Sequence, residues 1–294
     1  MSDTNLSDAL AVAVQTARAA VVRIEQGRCA TTSGTVLSDE LVVTSQHALR
    51  GGDEFKVVDD AGVERNAELV GADAGTDLAL LRVQGAGLTT PVFAAHEPLR
   101  VGELVVALGR PGVSVRASLR ILGLLSGEVR TPRGGRLERY IESDRGLPDG
   151  FAGGPLVNPR GEVIGMNTST LLRGSDLALA HVTLARVAAE LLAHGRMRRG
   201  YLGVATQPVR LPAALRDVLS QRSGALVLDT EASGPAHAAG LVLGDVIVSL
   251  DETPVRSPRE LAAVLADKIG VAVKLRIVRG GKLEVLQVTI GERG

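Results

Sequence analysis

The spacing of apolar residues changes along the chain between a helical and a strand-like pattern. Apolar residues recur at helical spacing from Leu10 to Ala17, and a strand-like run starts at Val21. From there to about residue 179, short β-branched runs alternate with glycines or polar turns. These runs are 35–37, 41–44, 68–70, 78–83, 104–108, 123–129, 137–141 and 162–166. Many short strands at such intervals predict a barrel or a sandwich.

A different pattern follows residue 180 and predicts a second domain. Helical spacing returns between Leu184 and Leu192 and ends at Gly195, before a basic stretch that is typical of an exposed linker. We therefore predict one domain over residues 1–196 and another over 197–294. In the second domain, residues 257–260 read Ser-Pro-Arg-Glu, which predicts a capped helix with proline in its first turn. Two strand-like runs, 271–278 and 283–290, flank a glycine-rich hairpin turn.

Composition narrows the class of partner. Lys plus Arg (33) balances Asp plus Glu (33), so no net charge attracts nucleic acid, and we expect protein or peptide partners. Aromatic residues make up 2% of the chain, which argues against a cofactor or base stacked on aromatic side chains. Cys29 is the single cysteine and has no Cys or His at ligand spacing, so we predict no disulfide, no metal site and no cofactor, and a packing role for its thiol.

The N-terminal residues indicate no secretory signal. Asp3 and Asp8 stand where a signal would be basic, and Gln15 and Arg18 interrupt the apolar stretch that follows. No run of about 18 apolar residues predicts a membrane span. The sequence as it stands therefore predicts a cytoplasmic protein, and the cell envelope or periplasm if an export segment has been removed.

Three motifs carry candidate chemistry. An apolar strand, 42–44, ends shortly before His47, and Asp77 directly precedes another apolar run at 78–81. Residues 150–155 read Gly-Phe-Ala-Gly-Gly-Pro, with Ala152 in the middle. A hydroxyl becomes a nucleophile at neutral pH only when an imidazole accepts its proton and a carboxylate orients that imidazole. Glycines on both sides of position 152 would let the turn bring backbone N–H groups together.

This order of motifs resembles the chymotrypsin-like serine proteases, and the neighbouring residues resemble their HtrA branch. Residues 73–81 are similar to the Asp-x-x-Thr-Asp-Leu-Ala-Leu-Leu segment of that branch, and residues 198–204 to the Arg-Arg-Gly-Tyr-Leu-Gly-Val string that opens its PDZ domain. The resemblance covers nearly the whole chain. It implies a mostly β protein, with a chymotrypsin-like double β-barrel followed by a PDZ domain, an α+β, partly open barrel with two helices.

The resemblance also implies a role for each residue of the first domain's site. His47 is the expected base and Asp77 its orienting carboxylate, and the N–H groups of Gly150 and Ala152 are the expected oxyanion hole. Ala152 occupies the position of the family's nucleophilic serine, and loss of that hydroxyl costs on the order of 10⁶ in kcat. We expect neither Ser143 nor Ser169 to reach the position that His47 addresses.

In the second domain, the resemblance implies a groove for the C-terminus of a peptide, which adds as a strand to a sheet edge. The expected carboxylate loop is Tyr201, Leu202, Gly203 and Val204, and Leu261 and Val264 are expected on the opposite wall. These side chains predict an aliphatic last residue in the ligand. The resemblance implies a homotrimer as well, but family trimers are commonly held by N-terminal aromatics, and none precedes Phe55 here.

The sequence leaves three possible functions open. In the first, the chain is an HtrA-like endopeptidase scaffold for unfolded or misfolded proteins, inactive because its serine was replaced. Alternatively, it is a natural pseudoprotease that binds unfolded chains or C-termini without cleaving them. In the third alternative, it is a scaffold whose PDZ domain alone binds partners.

Overall fold

The computed structural model describes residues 5–27, 30–49, 54–85, 87–94, 98–144, 146–172 and 174–293. The chain divides into two compact units, Met1–Met197 and Arg198–Gly294. The boundary predicted from the sequence lies one residue before this division. Cys29 falls outside the described residues, so its packing role stays a prediction.

The first unit begins with a helix and a closed six-stranded barrel. Helix α1 and a short 3₁₀ turn precede the barrel, whose strands follow the order β1-β2-β3-β6-β5-β4. Its interior is mostly aliphatic, with Val22, Ile24, Val42 and Leu81 fully buried, because alternate residues of each strand point inward. The elements are α1 (Leu6–Ala17), β1 (Val21–Gln26), β2 (Ala30–Val36), β3 (Leu41–Ser45), β4 (Phe55–Val58), β5 (Glu64–Asp73) and β6 (Leu78–Val83).

A second closed barrel completes this unit, with strand order β11-β14-β13-β12-β7-β8. A small hairpin of β9 and β10 stands apart from it, and helix α2 ends the unit. The elements are β7 (Leu104–Gly109), β8 (Arg116–Ser126), β9 (Val129–Arg130), β10 (Arg136–Leu137), β11 (Tyr140–Ser143), β12 (Pro155–Val157), β13 (Val163–Thr168), β14 (Asp176–Ala180) and α2 (His181–His194). The predicted double β-barrel is thereby confirmed.

Two predicted strands of this barrel are wrong in detail. The runs 123–129 and 137–141 were each expected to form one strand, but each is divided between the barrel and the β9–β10 hairpin. Turn residues between the pieces, including Gly127, let the chain leave the barrel and return. The predicted end of the following helix is correct, because Gly195 caps α2 with a left-handed φ of 69°.

The second unit is a twisted sheet with short helices, and it confirms the predicted PDZ fold. Its sheet has the order β16-β17-β18-β20-β21, with β19 on β18, and β15 pairs separately with β22. The elements are β15 (Arg199–Tyr201), β16 (Val204–Arg210), α3 (Ala213–Leu219), β17 (Ser223–Thr230), α4 (Pro235–Ala238), β18 (Val246–Leu250), β19 (Thr253–Pro254), α5 (Pro258–Leu265), β20 (Ala272–Arg279), β21 (Lys282–Thr289) and β22 (Gly291–Arg293).

This unit has three helices where two were expected. Helix α3 is the addition, and its Leu215 and Leu219 pack against a small apolar cluster around Val248. Helix α5 starts as predicted, since the Ser257 side chain accepts a hydrogen bond from the Glu260 N–H at 3.2 Å. Among the described residues, no helix combines the length and apolarity that crossing a bilayer requires.

Candidate active site

His47 and Asp77 are brought together by the antiparallel pairing of β3 with β6. Ser45, the last residue of β3, pairs with Leu78, the first residue of β6, so the residues just beyond these ends are neighbours. The carboxylate of Asp77 accepts the His47 backbone N–H at 2.9 Å, and its second oxygen lies 2.7 Å from His47 Nδ1. This contact favours the tautomer with hydrogen on Nδ1, which leaves Nε2 free to accept a proton.

Two threonines of the second barrel complete the surroundings of Asp77. Thr168 donates to Oδ2 of Asp77 at 2.5 Å, and the Thr170 hydroxyl lies 2.9 Å from His47 Nδ1. Burial raises the pKa of Asp77, but hydrogen bonds from His47 and Thr168 outweigh it and hold that pKa below its ordinary value. Asp77 is therefore a buried carboxylate kept ionised by its donors. Neither threonine was predicted, although a run of four polar residues, 167–170, ends a fully buried strand.

The unusual backbone of Asp77 is built by the turn before it. Asp77 has a φ of 56°, a left-handed value that costs a non-glycine residue free energy. The buried carboxylate of Asp73 accepts hydrogen bonds from the N–H groups of Gly75 and Thr76 and from the Thr76 hydroxyl, at 2.8 to 3.1 Å. Thr131, beside the β9–β10 hairpin, donates to the Gly75 carbonyl at 2.7 Å. The aspartate of the site is thus positioned from two directions.

The loop around Ala152 requires glycine at specific positions. Gly150 and Gly153 have φ values of 80° and 87°. A Cβ on Gly153 would lie 2.2 Å from the Ser33 carbonyl oxygen, so no other residue fits there without a backbone shift. The loop is also fixed by strand β2, whose Thr32 and Ser33 donate to the carbonyls of Ala152 and Gly150. Hydrogen bonds from the first barrel therefore hold this loop of the second barrel in place.

The backbone donors predicted for an oxyanion hole are free. Within the described part of the chain, neither the Gly150 N–H nor the Ala152 N–H has an acceptor. The N–H groups beside them are used, since Phe151 donates to Pro148 and Gly153 donates to Asn167. Both residues line the cleft described next, so their N–H groups are available to the carbonyl oxygen of a ligand.

His47 and the loop around Ala152 line one cleft, which has a volume of about 370 Å³. It is lined by Thr31, Thr32, His47, Ala48, Leu147, Pro148, Asp149, Gly150, Ala152 and Ser169. Ser169 also lines this cleft, but no hydrogen bond joins it to His47 among the described residues, so the expectation that it does not reach the position addressed by His47 stays a prediction. The cleft thus places the His47 imidazole, which Asp77 contacts from behind, in one lining with the Gly150 backbone and the Ala152 methyl group.

Phe151 fixes the loop to the core of the second barrel. Its side chain is buried to 2% exposure, in the same apolar cluster as Leu122 and Ile141. It packs so closely on Gly109 that a Cβ there would lie 2.7 Å from the ring. The aromatic ring therefore anchors the residue directly before Ala152.

The second unit brings its predicted groove residues together. Leu202 and Leu261 are buried in one apolar cluster, against which Val204 and Val264 pack with part of their surface exposed. The N–H groups of Leu202 and Gly203 have no acceptor in the described ranges, and Gly203 has a φ of 77°. Tyr201 is not part of this apolar cluster. Its hydroxyl is hydrogen-bonded to Glu231, and its ring lies 5.3 Å from the Arg293 guanidinium. Free amides beside an aliphatic surface suit a peptide carboxylate and an aliphatic last side chain.

No metal centre is formed by the described side chains, since no three His, Cys, Asp or Glu residues there are placed to hold an ion.

Both units match known domain families. Residues 32–166 match the trypsin-like peptidase domain, and residues 200–290 match the PDZ domain. Two curated relatives are described as probable periplasmic serine endoproteases, DegP-like. The one from Rhizobium meliloti (strain 1021) is 37% identical, over 87% of this chain and 52% of its own length. The one from Pseudomonas putida (strain W619) is 36% identical, over 88% and 55%. The chain thus spans about half the length of these relatives.

Solved structures give the same result. The serine endoprotease from Yersinia pestis superimposes with a TM-score of 0.77 at 26% identity, covering 97% of this chain and 98% of that one. The HtrA-type protease AlgW, solved with a decapeptide, also has a TM-score of 0.77, at 25% identity, covering 97% and 99%.

Proposed function

Because the chain belongs to the HtrA type of trypsin-like serine proteases, we propose that it binds peptide segments of unfolded proteins without cleaving them. The observation that carries the proposal is the cleft itself, whose lining holds His47, backed by Asp77, together with Gly150 and Ala152 and their free N–H groups. Binding of a peptide carbonyl uses the backbone donors, which the loss of a side chain leaves in place. Cleavage requires a nucleophile, which Ala152 lacks.

In this proposal the PDZ groove binds a second part of the partner, its C-terminus. Leu202, Val204, Leu261 and Val264 offer an aliphatic surface, and the amides of Leu202 and Gly203 offer donors for the terminal carboxylate. Peptides bound to the related AlgW support a peptide ligand for this chain. We include a role in quality control of unfolded or misfolded proteins in the proposal.

The test compares binding with cleavage on one substrate, fluorescently labelled unfolded casein. The unaltered chain should retain casein and release no fragments, whereas the Ala152→Ser chain should cleave it. Adding His47→Ala to Ala152→Ser should abolish the cleavage, since the hydroxyl then has no base. Fragments released by the unaltered chain at the rate of the Ala152→Ser chain would contradict the proposal.

Binding in the cleft is tested by filling it. Ser169 is an exposed residue in the cleft lining, so Ser169→Trp should block the cleft and weaken casein retention without disturbing the core. Ser7→Trp is the matched control, because Ser7 is exposed on helix α1. Equal casein retention by the two variants would show that the cleft is not the binding site.

A further inference from the structure

A second pocket, which we call the barrel-end pocket, lies at the end of the second barrel away from the cleft. Strand β7 enters the barrel there at Leu104 and strand β14 leaves it there at Ala180, and both residues line the pocket. Strand β12 begins at Pro155, directly after the loop around Ala152, and Asn158, which follows its last residue, lines the pocket. The strands therefore run between the two sites, with the cleft at one end and the pocket at the other.

The barrel-end pocket has the size of a small-molecule site. Its volume is about 720 Å³, compared with about 370 Å³ for the cleft, and no described residue lines both. Small-molecule sites have volumes of about 300–1,000 Å³ and often lie in the mouths of barrels. A peptide cannot add to this barrel as a strand, because the barrel is closed and each of its strands is paired on both sides. The pocket therefore suits a small ligand.

The floor of the pocket is aliphatic. Val105, Ile141, Ile164 and Ala180 line it, come from four different strands, belong to one core cluster and are 1 to 5% exposed. Val182, at the start of helix α2, extends the apolar lining toward the mouth and is 42% exposed. An aliphatic chain placed on this surface would remove apolar area of both partners from water.

The carboxylates of the pocket are already paired. Glu103 accepts a hydrogen bond from Arg100 at 2.7 Å. Glu138 accepts the Thr183 hydroxyl at 2.7 Å and is paired with Arg186. Among the described residues of the lining, these two glutamates are the acidic ones. A cationic ligand would have to compete with the arginines for them, so the pocket does not favour a cation.

One arginine of the pocket has no acidic partner. Arg100, Arg139 and Arg160 line the pocket and outnumber its two glutamates. Arg100 is paired with Glu103 at 2.7 Å, and Arg160 with Glu162 at 3.0 Å. The side chain of Arg139 is exposed and is hydrogen-bonded to no acceptor in the described ranges of the chain. Arg139 can therefore pair with an anionic group of a ligand without losing an existing contact.

We propose that the barrel-end pocket binds a small amphipathic carboxylate, whose aliphatic chain lies on the floor and whose carboxylate pairs with Arg139. The floor distinguishes this class of ligand from bare anions, and the unpaired arginine distinguishes it from alkyl cations. The pocket shares no described residue with the cleft, so this assignment does not rest on the function proposed above.

Isothermal titration calorimetry of the full chain with decanoate tests the class of ligand. Decanoate is used below the concentration at which it forms micelles, and acetate and decyltrimethylammonium are the comparison compounds. Decanoate should bind at one site. Acetate lacks the chain and the cation lacks the carboxylate, so each should bind at least about 10-fold more weakly. Absence of decanoate binding would overturn the proposal, and so would equal binding of either comparison compound.

Two substitutions locate the site. Arg139→Gln removes the charge and should weaken decanoate binding about 10-fold, whereas Arg116→Gln, at an exposed arginine on β8 outside the lining, should not. Val182→Trp fills the mouth and should abolish binding, whereas Leu192→Trp is the matched control, because Leu192 is 41% exposed on the same helix and lies outside the lining. Unchanged binding to Arg139→Gln would overturn the site, and this exposed position decides the result if Val182→Trp does not fold.

Two further variants test the other apolar sites of the chain. The PDZ groove also offers an aliphatic surface and donors for a carboxylate, so Val264→Trp is used to fill it, and Ser169→Trp fills the cleft. Decanoate should bind both variants as it binds the unaltered chain. Loss of binding in Val264→Trp would assign decanoate to the PDZ groove, and loss in Ser169→Trp would assign it to the cleft. Either result overturns the barrel-end site, whereas casein retention, measured separately, decides the proposed function.

Discussion

The two barrels of the first unit contribute unequally to the cleft. The first barrel supplies His47 and Asp77 in the geometry of a base and its orienting carboxylate. The second barrel supplies the loop at 150–154, which carries Ala152 at the position of the family's nucleophilic serine. The first barrel thus holds a histidine and a buried carboxylate in contact, while the loop of the second barrel presents a methyl group beside free backbone N–H groups.

The contacts of Asp77 give it a structural role that does not depend on catalysis, so its presence beside His47 is weak support for cleavage by this chain. Asp77 accepts the backbone N–H of His47 as well as its ring, receives Thr168, and is fully buried. Loss of this carboxylate would leave several buried donors without an acceptor, which is costly in any folded protein. Asp77 therefore has a structural reason to remain when cleavage is lost. The methyl group of Ala152 needs no hydrogen-bond partner, so alanine can stand there at little cost to the fold.

Of the variants that test the two barrels separately, Phe151→Ala in the second barrel should cause the largest loss of stability. Phe151→Ala removes an anchoring ring from the core of the second barrel, and truncation of a buried phenylalanine costs about 3–5 kcal/mol. The free energy of unfolding in urea should fall by that amount. Val113→Ala is the control, since Val113 is 83% exposed and should change stability by no more than about 0.5 kcal/mol. A loss below about 1 kcal/mol at Phe151 would show that the loop is held by its hydrogen bonds alone.

The residues that the sequence reveals are those in continuous motifs, and the ones that it hides lie far apart in the chain. His47, Asp77 and Ala152 stand in recognisable strings, and the barrels follow from repeated short apolar runs. Contacts between distant parts of the chain cannot be predicted in this way. Thr168 bonds Asp77 over a sequence separation of 91 residues, and Arg120 bonds Asp176 over 56. A buried arginine on β8 also contradicts the usual preference for apolar interior positions. Such contacts become visible only when strand register is known.

An intermediate loss of stability is expected at Ser33, a residue of the first barrel that is hydrogen-bonded to the second barrel. The buried Ser33 hydroxyl accepts the Arg110 N–H at 2.8 Å and donates to the Gly150 carbonyl. Ser33→Ala leaves both groups without this partner, so the free energy of unfolding should fall by about 1–3 kcal/mol. Casein retention should weaken as well, because Gly150 carries one of the free donors. Ser7→Ala on exposed α1 is the control, and equal stability of the two variants would contradict a role of these hydrogen bonds in holding the loop.

The smallest effect is a pH dependence that separates the structural role of Asp77 from catalysis. Its hydrogen bonds hold its pKa below the ordinary value, so its ionised form stabilises the fold above the unfolded pKa of about 3.9. That contribution is lost as the pH falls through the folded pKa, where both states become protonated. The stability difference between the unaltered chain and Asp77→Asn should therefore be constant near neutral pH and shrink below about pH 4. Thr168→Val removes one of the donors and should show a smaller change in the same window. Urea unfolding from pH 7 to pH 2.5 measures both differences, and a gap for Asp77→Asn that does not narrow in acid would contradict the structural role.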